Sequence, residues 1–327
     1  MHPPISASAH PMQQFHDMLA HILKHGKRRP NRTGVDTLFV PGYHMRFDMA
    51  DGFPAITTKK LAFKSAIGEL VGFFRGYDSA AQFRSIGCKV WDGNANETKS
   101  WLANPARKGT DDLGRIYSKQ WTDWRDWRSV ESEADAQALQ AKGYELIAHD
   151  TTRNVWVMRK GINQLERALE ALLTNPTDRR ILITAWRPDE FDQAALPCCH
   201  VDWNFLTDVE SGTLHLCMYQ RSFDSFLAYN VSMGGLFLEI MAKLAGLKAG
   251  TFNHFIGDAH IYVNHLEQVQ LLLSREHRVQ PTLKLGASIP TVRSVEDIPG
   301  VFARIQPEDI MLEGYDPHPA IPAPMAA

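Results

Sequence analysis

The run Met233–Leu247 constrains the fold of this chain more than any other stretch. It is the longest apolar segment, broken only by Glu239 and Lys243. It falls short of the ~20 uninterrupted apolar residues that a membrane span requires. The run therefore predicts a helix buried in protein, which other elements must cover on nearly every side. Val201–Leu206 and Thr213–Tyr219 read as a strand pair turned by Glu210-Ser211-Gly212, and Ile181–Trp186 as an apolar strand. Thr37–Phe47 alternates like a strand, with Gly42 marking a bulge. Helical spacing covers Gln13–His25, Ala62–Gly76, Ile162–Leu173 and Leu266–Leu273, whereas Val90 to Gly109 reads as an irregular loop. Mixed strands and helices around one long central helix give the α+β class, though periodicity does not order the strands.

Composition removes several classes of function. Lys plus Arg is 35 against 37 for Asp plus Glu, a net charge of −2. No basic excess points to nucleic acid or a membrane surface, so any anion must be held by a local cluster of arginines. The four cysteines, Cys88, Cys198, Cys199 and Cys217, show neither a disulfide framework nor metal-ligand spacing. They read as reduced thiols of a cytoplasmic protein without a metal. Residues 1–11 carry no positive region followed by an apolar run and read as a disordered lead-in. Residues 12–327 form a single domain with an insertion at about 128–160. There, Glu131–Lys142 reads as a short surface helix and Tyr144–Met158 as a hairpin-like addition, decorating the surface.

The chemistry concentrates between Leu196 and Asn230. Cys198-Cys199-His200 sets thiols beside an imidazole, and Arg221, Ser222, Asp224 and Asn230 follow. A thiolate is the strongest side-chain nucleophile near neutral pH, and guanidinium groups favour it. Taken alone, both cysteines could equally be small buried hydrophobes. Glu69 lies on or beside the apolar stripe of its helix, either handling protons or sitting at an exposed edge. Asp178-Arg179-Arg180 is either a capped surface turn or a phosphate clamp. The proline-rich apolar tail from Glu313 to Ala327 suits a lid that packs onto the molecule.

A series of blocks resembles the thymidylate synthase family. They are Asn31-Arg32-Thr33-Gly34, Asp51-Gly52-Phe53-Pro54, Thr57-Thr58-Lys59, Gly114-Arg115-Ile116-Tyr117 and Asp178-Arg179-Arg180. Pro197-Cys198-Cys199-His200, Tyr219-Gln220-Arg221-Ser222, Gly257-Asp258-Ala259-His260-Ile261-Tyr262 and Gly314-Tyr315-Asp316-Pro317-His318-Pro319 follow in family order. Each block is weak alone; together and in order they are highly specific.

The resemblance implies a layered mixed sheet with a long buried central helix, and a homodimer formed across the sheet face. It implies methylation of dUMP to dTMP, with 5,10-methylenetetrahydrofolate as the donor of carbon and hydride and dihydrofolate as the second product. On the same fold, a nucleotide hydroxymethylase or a non-catalytic nucleotide- or RNA-binding relative is the alternative. Cys199 would add to uracil C6. Glu69, Tyr117 and His200 would handle protons, and Asn230 would read the uracil edge. Arg32, Gln220, Arg221, Ser222, Asp224, His260 and Tyr262 would hold the nucleotide, joined by Arg179 and Arg180 from the neighbouring subunit. Val90, Trp91, Asp224, Tyr229 and Ala326 would face the folate. The loop before Asn230 is about two residues shorter than the family's usual run, and Tyr229 replaces a phenylalanine.

Overall fold

The helix Tyr229–Ala245 lies at the centre of the computed structural model, which describes residues 10–31 and 33–323. Val231, Met233, Leu236, Phe237, Leu238, Ile240, Met241 and Leu244 are all buried, so the helix is covered around its circumference. It begins earlier than the apolar run because its polar first turn finds partners. Ser232 Oγ donates to the Pro54 carbonyl at 2.8 Å, and the Asn230 amide meets His200. Gly246 ends it at φ 70°, the left-handed conformation that a helix stop commonly needs. At Gly234 a Cβ would come within 2.1 Å of the Phe252 ring, so the bare backbone lets the sheet pack close.

The strands are β1 (Lys27–Arg29), β2 (Thr37–Asp48), β3 (Trp124–Val130), β4 (Glu145–Asp150), β5 (Val155–Ile162), β6 (Leu182–Thr184), β7 (His200–Asp208), β8 (Thr213–Asp224), β9 (Lys248–Tyr262), β10 (Thr282–Leu285) and β11 (Ile310–Glu313). Six of them make the main sheet in the order β1-β2-β9-β8-β7-β6. Neighbours are antiparallel except β8 and β9, which run parallel. A parallel pair needs a crossover, and the central helix supplies it. Leu214, Leu216 and Met218 of β8 and Phe252, His254 and Ile256 of β9 alternate onto its inner face. On the opposite face Tyr219 and Phe255 are about two-fifths exposed, at 42% and 41%.

Three details depart from the sequence reading. Gly42 has φ 70° but makes no bulge, because the β2–β9 register runs unbroken from Pro41↔Asp258 to Tyr43↔Ile256. Between Val90 and Gly109 the chain forms two short helices, Asp92–Asn96 and Lys99–Leu102. The insertion holds the expected helix, Glu133–Gln140, and hairpin, β4 and β5, but β3 joins them to make a three-stranded sheet in the order β3-β5-β4.

Of the expected lead-in, residues 1–9 lie outside the described residues, while the His10 ring stacks on His277 at 4.3 Å. The tail packs down as far as it is described. The Tyr315 hydroxyl donates to the Ile56 carbonyl at 2.9 Å, and the His318 N–H donates to the Thr57 carbonyl at 2.7 Å. Arg275 Nη1 donates to the Pro319 carbonyl at 2.7 Å, and Ile321 is buried. Among the described residues no helix is long and apolar enough to cross a membrane.

Candidate active site

Cys199 sits half-buried where the chain enters β7. The β7–β8 register slips between His200↔Gln220 and Asp202↔Tyr219, and such a bulge re-aims the side chains beside it. The Cys199 N–H donates to the Tyr117 hydroxyl, and its carbonyl accepts from the Arg221 N–H at 2.9 Å. Arg221 turns its guanidinium under the same turn: Nε donates to the Cys198 carbonyl and Nη2 to the Pro197 carbonyl, each at 2.9 Å. A fixed cation therefore lies beside the Cys199 turn. Burial pushes the Cys198 thiol far up, so Cys198 stays protonated and Cys199 is the thiol suited to attack. All four cysteines are unbridged.

Around this turn the groups predicted to handle protons are buried, and burial disfavours the charged form of each. Glu69, on the helix Phe63–Phe74, is 5% exposed. Burial raises its pKa to about 7, against the opposing influence of Tyr229 and Trp91. Neither neighbour closes a hydrogen bond on Glu69 Oε2, which has no partner among the described residues. Burial also carries Tyr117 well above the usual phenol range. Its ring stacks on Phe73 at 4.9 Å and tilts against His200 at 5.4 Å. Burial lowers His200 to about 3, so the imidazole is neutral, and its Nε2 lies 2.7 Å from Asn230 Nδ2.

The adjoining strands present the polar groups predicted for the nucleotide. Gln220 Oε1 meets His254 Nε2 at 2.9 Å, and Gln220 Nε2 donates to the Ser222 carbonyl at 2.8 Å. Register sets Ser222 opposite Asp258 and Asp224 opposite His260, whose Nδ1 is 3.1 Å from Asp258 Oδ1. Tyr262 packs its ring against His260 at 5.3 Å. Burial raises the Asp224 carboxyl, partly offset by His260, His265 and Lys59.

Among the residues expected to face a folate, Trp91 is 3% exposed and walled by Phe73 and Tyr117, with Val90 half-buried beside it. Its indole N–H has no hydrogen-bond partner among the described residues. Tyr229 opens the central helix, with its phenol turned toward Glu69.

Two partners of the site went unassigned in the sequence. Lys59 is buried; its Nζ donates to the Phe226 carbonyl at 2.5 Å and lies 3.5 Å above the Phe226 ring. Its place beside threonines in a recurring block was the available signal. His254 is buried at an inward position of β9, where alternation with Phe252 and Ile256 made it look like ordinary core.

Arg179 and Arg180 are not brought to Cys199. They precede β6, whose partner residues on β7 begin at Asn204, and Asn204 Nδ2 donates to the Arg179 carbonyl at 3.4 Å. Five strand residues separate that point from Cys199, roughly 16 Å. Both arginines are exposed and line a hollow of about 410 Å³ with Asn175, Thr177 and Asp178. Arg32 and Ala326 lie outside the described residues. No group of three or more His, Cys, Asp or Glu among the described residues could hold a metal ion.

A thiol next to a fixed cation, with acids and bases kept neutral by burial, is the equipment of an enzyme that attacks its substrate covalently. Relatives narrow the class. The family described as thymidylate synthase matches residues 13–327, and the chain belongs to that family. It is 40% identical over 322 residues to the thymidylate synthase of Pseudomonas syringae pv. tomato, covering 96% of this chain and 100% of the relative. It is 42% identical to that of Bordetella parapertussis and 41% identical to that of Pseudomonas putida, with the same coverage.

Proposed function

We propose that Cys199 is the nucleophile, and Tyr117 a participant in removing the substrate's C5 proton, in a thymidylate synthase reaction. The enzyme type follows from the family: dUMP is methylated to dTMP, with 5,10-methylenetetrahydrofolate as cosubstrate. The observation that carries the residue assignment is the hydrogen bond between the Cys199 N–H and the Tyr117 hydroxyl, which joins the nucleophile's turn to the proton-relaying hydroxyl at one point.

The Cys199 thiolate forms a bond to uracil C6, and the C5–C6 electron pair moves toward O4. Glu69, buried with a pKa near 7, handles the proton at O4. Asn230 reads the N3–H and O4 edge while its other neighbour, neutral His200, fixes its orientation. C5 takes the folate's methylene carbon, the bond from that carbon to the folate nitrogen breaks, and the C5 proton leaves through a hydrogen-bonded relay in which the Tyr117 hydroxyl takes part. The folate supplies both that carbon and a hydride. Re-forming the C5–C6 double bond expels the thiolate. Arg221, Ser222 and Gln220 hold the nucleotide, with Arg32 as a further phosphate ligand. His260 and Tyr262 hold its sugar. Val90, Trp91, Asp224, Tyr229 and Ala326 face the folate.

Arg179 and Arg180, remote from Cys199 within the chain, serve the site of a second copy. The outward sheet face with Tyr219 and Phe255 is the contact between copies. Residues 12–327 act as one catalytic domain in the cytoplasm. Incubation with fluorodeoxyuridylate and methylenetetrahydrofolate is expected to leave a stable adduct on the Cys199 peptide, read by mass spectrometry. An adduct on Cys198, or none, discards the assignment.

A further inference from the structure

Close to Tyr117 and Cys199 lies a buried charge cluster that the reaction above does not use. Arg115 is 7% exposed; its Nε donates to Glu190 Oε2 at 2.5 Å and its Nη2 to the Asp123 carbonyl at 2.7 Å. Its backbone N–H donates to the Gln193 carbonyl at 2.7 Å. Glu190, 4% exposed, also accepts from Gln120 Nε2 at 2.9 Å. Arg125 Nη1 and Arg187 Nε each lie 3.6 Å from its Oε1. Burial alone would raise Glu190, but Gln120, Arg115 and Arg187 outweigh it and hold the carboxylate ionised.

The connectivity gives this cluster a purpose. Arg115 and Gln120 flank Tyr117, Gln120 within the same short helix Tyr117–Thr122. Glu190 belongs to the turn Pro188–Gln193, which leads into Cys199. One carboxylate thus ties the segment carrying the phenol to the segment carrying the thiol. The insertion closes the clamp. Arg125 of β3 donates to Gln193 Oε1 at 3.1 Å, its carbonyl accepts from Arg187 Nη1 at 2.9 Å, and Arg159 of β5 pairs with Asp123. The strands bounding the insertion therefore reach the catalytic framework, where decoration alone was expected.

We propose that Glu190 is a positioning residue: by clamping Arg115 and Gln120 it holds the Tyr117 hydroxyl on the Cys199 N–H, and the insertion sheet completes that clamp through Arg125. The proposal rests on the reading of Tyr117 and Cys199 as a reacting pair. A buried charge network could instead serve stability alone, and the two roles differ in what a second mutation does.

The test compares Glu190→Gln in the wild-type and Tyr117→Phe backgrounds, measuring kcat and dUMP Kd. In the wild-type background kcat is expected to fall by about 10- to 100-fold, with Kd within about twofold. In the Tyr117→Phe background the same change should move kcat by less than about twofold, because the hydroxyl it positions is gone. An equal loss in both backgrounds, or a Kd that rises as kcat falls, overturns the clamp while leaving the Tyr117 reading intact. Full turnover by Tyr117→Phe alone overturns that reading and the clamp with it. Should Glu190→Gln fail to fold, Arg125→Gln replaces it. Its expected loss is about threefold, and that loss too must vanish without the Tyr117 hydroxyl.

Discussion

At the scale of single residues, the proposed roles separate a group that attacks from groups that hold. Cys199→Ser keeps the fold and leaves Arg221, Ser222 and Gln220 in place. Turnover is expected to fall by at least about a thousandfold, with dUMP affinity within a few-fold by calorimetry. Glu69 gives a prediction of opposite flavour, because its cost is paid in stability. Burial raises its pKa from 4.5 to about 7, so the folded state binds a proton that the unfolded state has lost. That contribution is fully present below pH 4.5 and disappears as pH rises through 7. Glu69→Gln has no such loss. Relative to wild type, the variant should gain up to about 3 kcal/mol between pH 4 and pH 8, measured by urea unfolding at each pH. A difference that stays flat with pH would remove Glu69 from the proton-handling role.

At the scale of elements, helices declared themselves through apolar spacing, and their ends did so only where a local stop signal marked them. Gln13–His25 matches its pattern residue for residue, since Gly26 stops it and Met18, Leu19 and Ile22 face the core. The central helix starts at Tyr229 because long-range partners stabilise Asn230 and Ser232, and no local pattern encodes those partners. Its entry is strained: Ala228 has φ 65°, where an L side chain is disfavoured. Ala228→Gly should therefore raise stability by roughly 0.5–1 kcal/mol, after allowing for glycine's greater freedom when unfolded. Thermal unfolding reads this directly, and a destabilised variant would show that the turn is not under strain. The strand order was illegible for the same physical reason. A parallel β8–β9 pair depends on contacts across the whole central helix, and alternation along one strand says nothing about its neighbour.

At the scale of the whole molecule, the residues that gather around the Cys199 turn, among them Tyr117, His200, Arg221 and Asn230, could be picked out in the sequence, since together their residue types are chemically unusual. Lys59 and His254 could not be read as partners, because what distinguishes them is burial next to Asp224 and Gln220. Arg179 and Arg180 were legible as arginines but not as residents of the far end of the sheet. Their remoteness yields a test of assembly. Cys199→Ser chains retain the arginines, and Arg179→Ala/Arg180→Ala chains retain the thiol. Each should be nearly inactive alone. Mixed at equal amounts and allowed to exchange, they should recover up to about a quarter of wild-type activity, from dimers with one intact site. No recovery, with exchange confirmed by mass, would place the arginines' role within their own chain.

The tail contacts carry a consequence for biosynthesis. Tyr315 reaches Ile56 across 259 residues of chain, and Arg278 holds Asp316 from the loop between them. Tail residues near 315 leave the ribosome long after the segment at 56–61 that they grip. The nascent chain can assemble its central helix and sheet while its end is still being made, but this last layer cannot form until translation has passed residue 315. The protein thus lacks its outermost layer for most of its synthesis, and acquiring it is among the late events of its assembly.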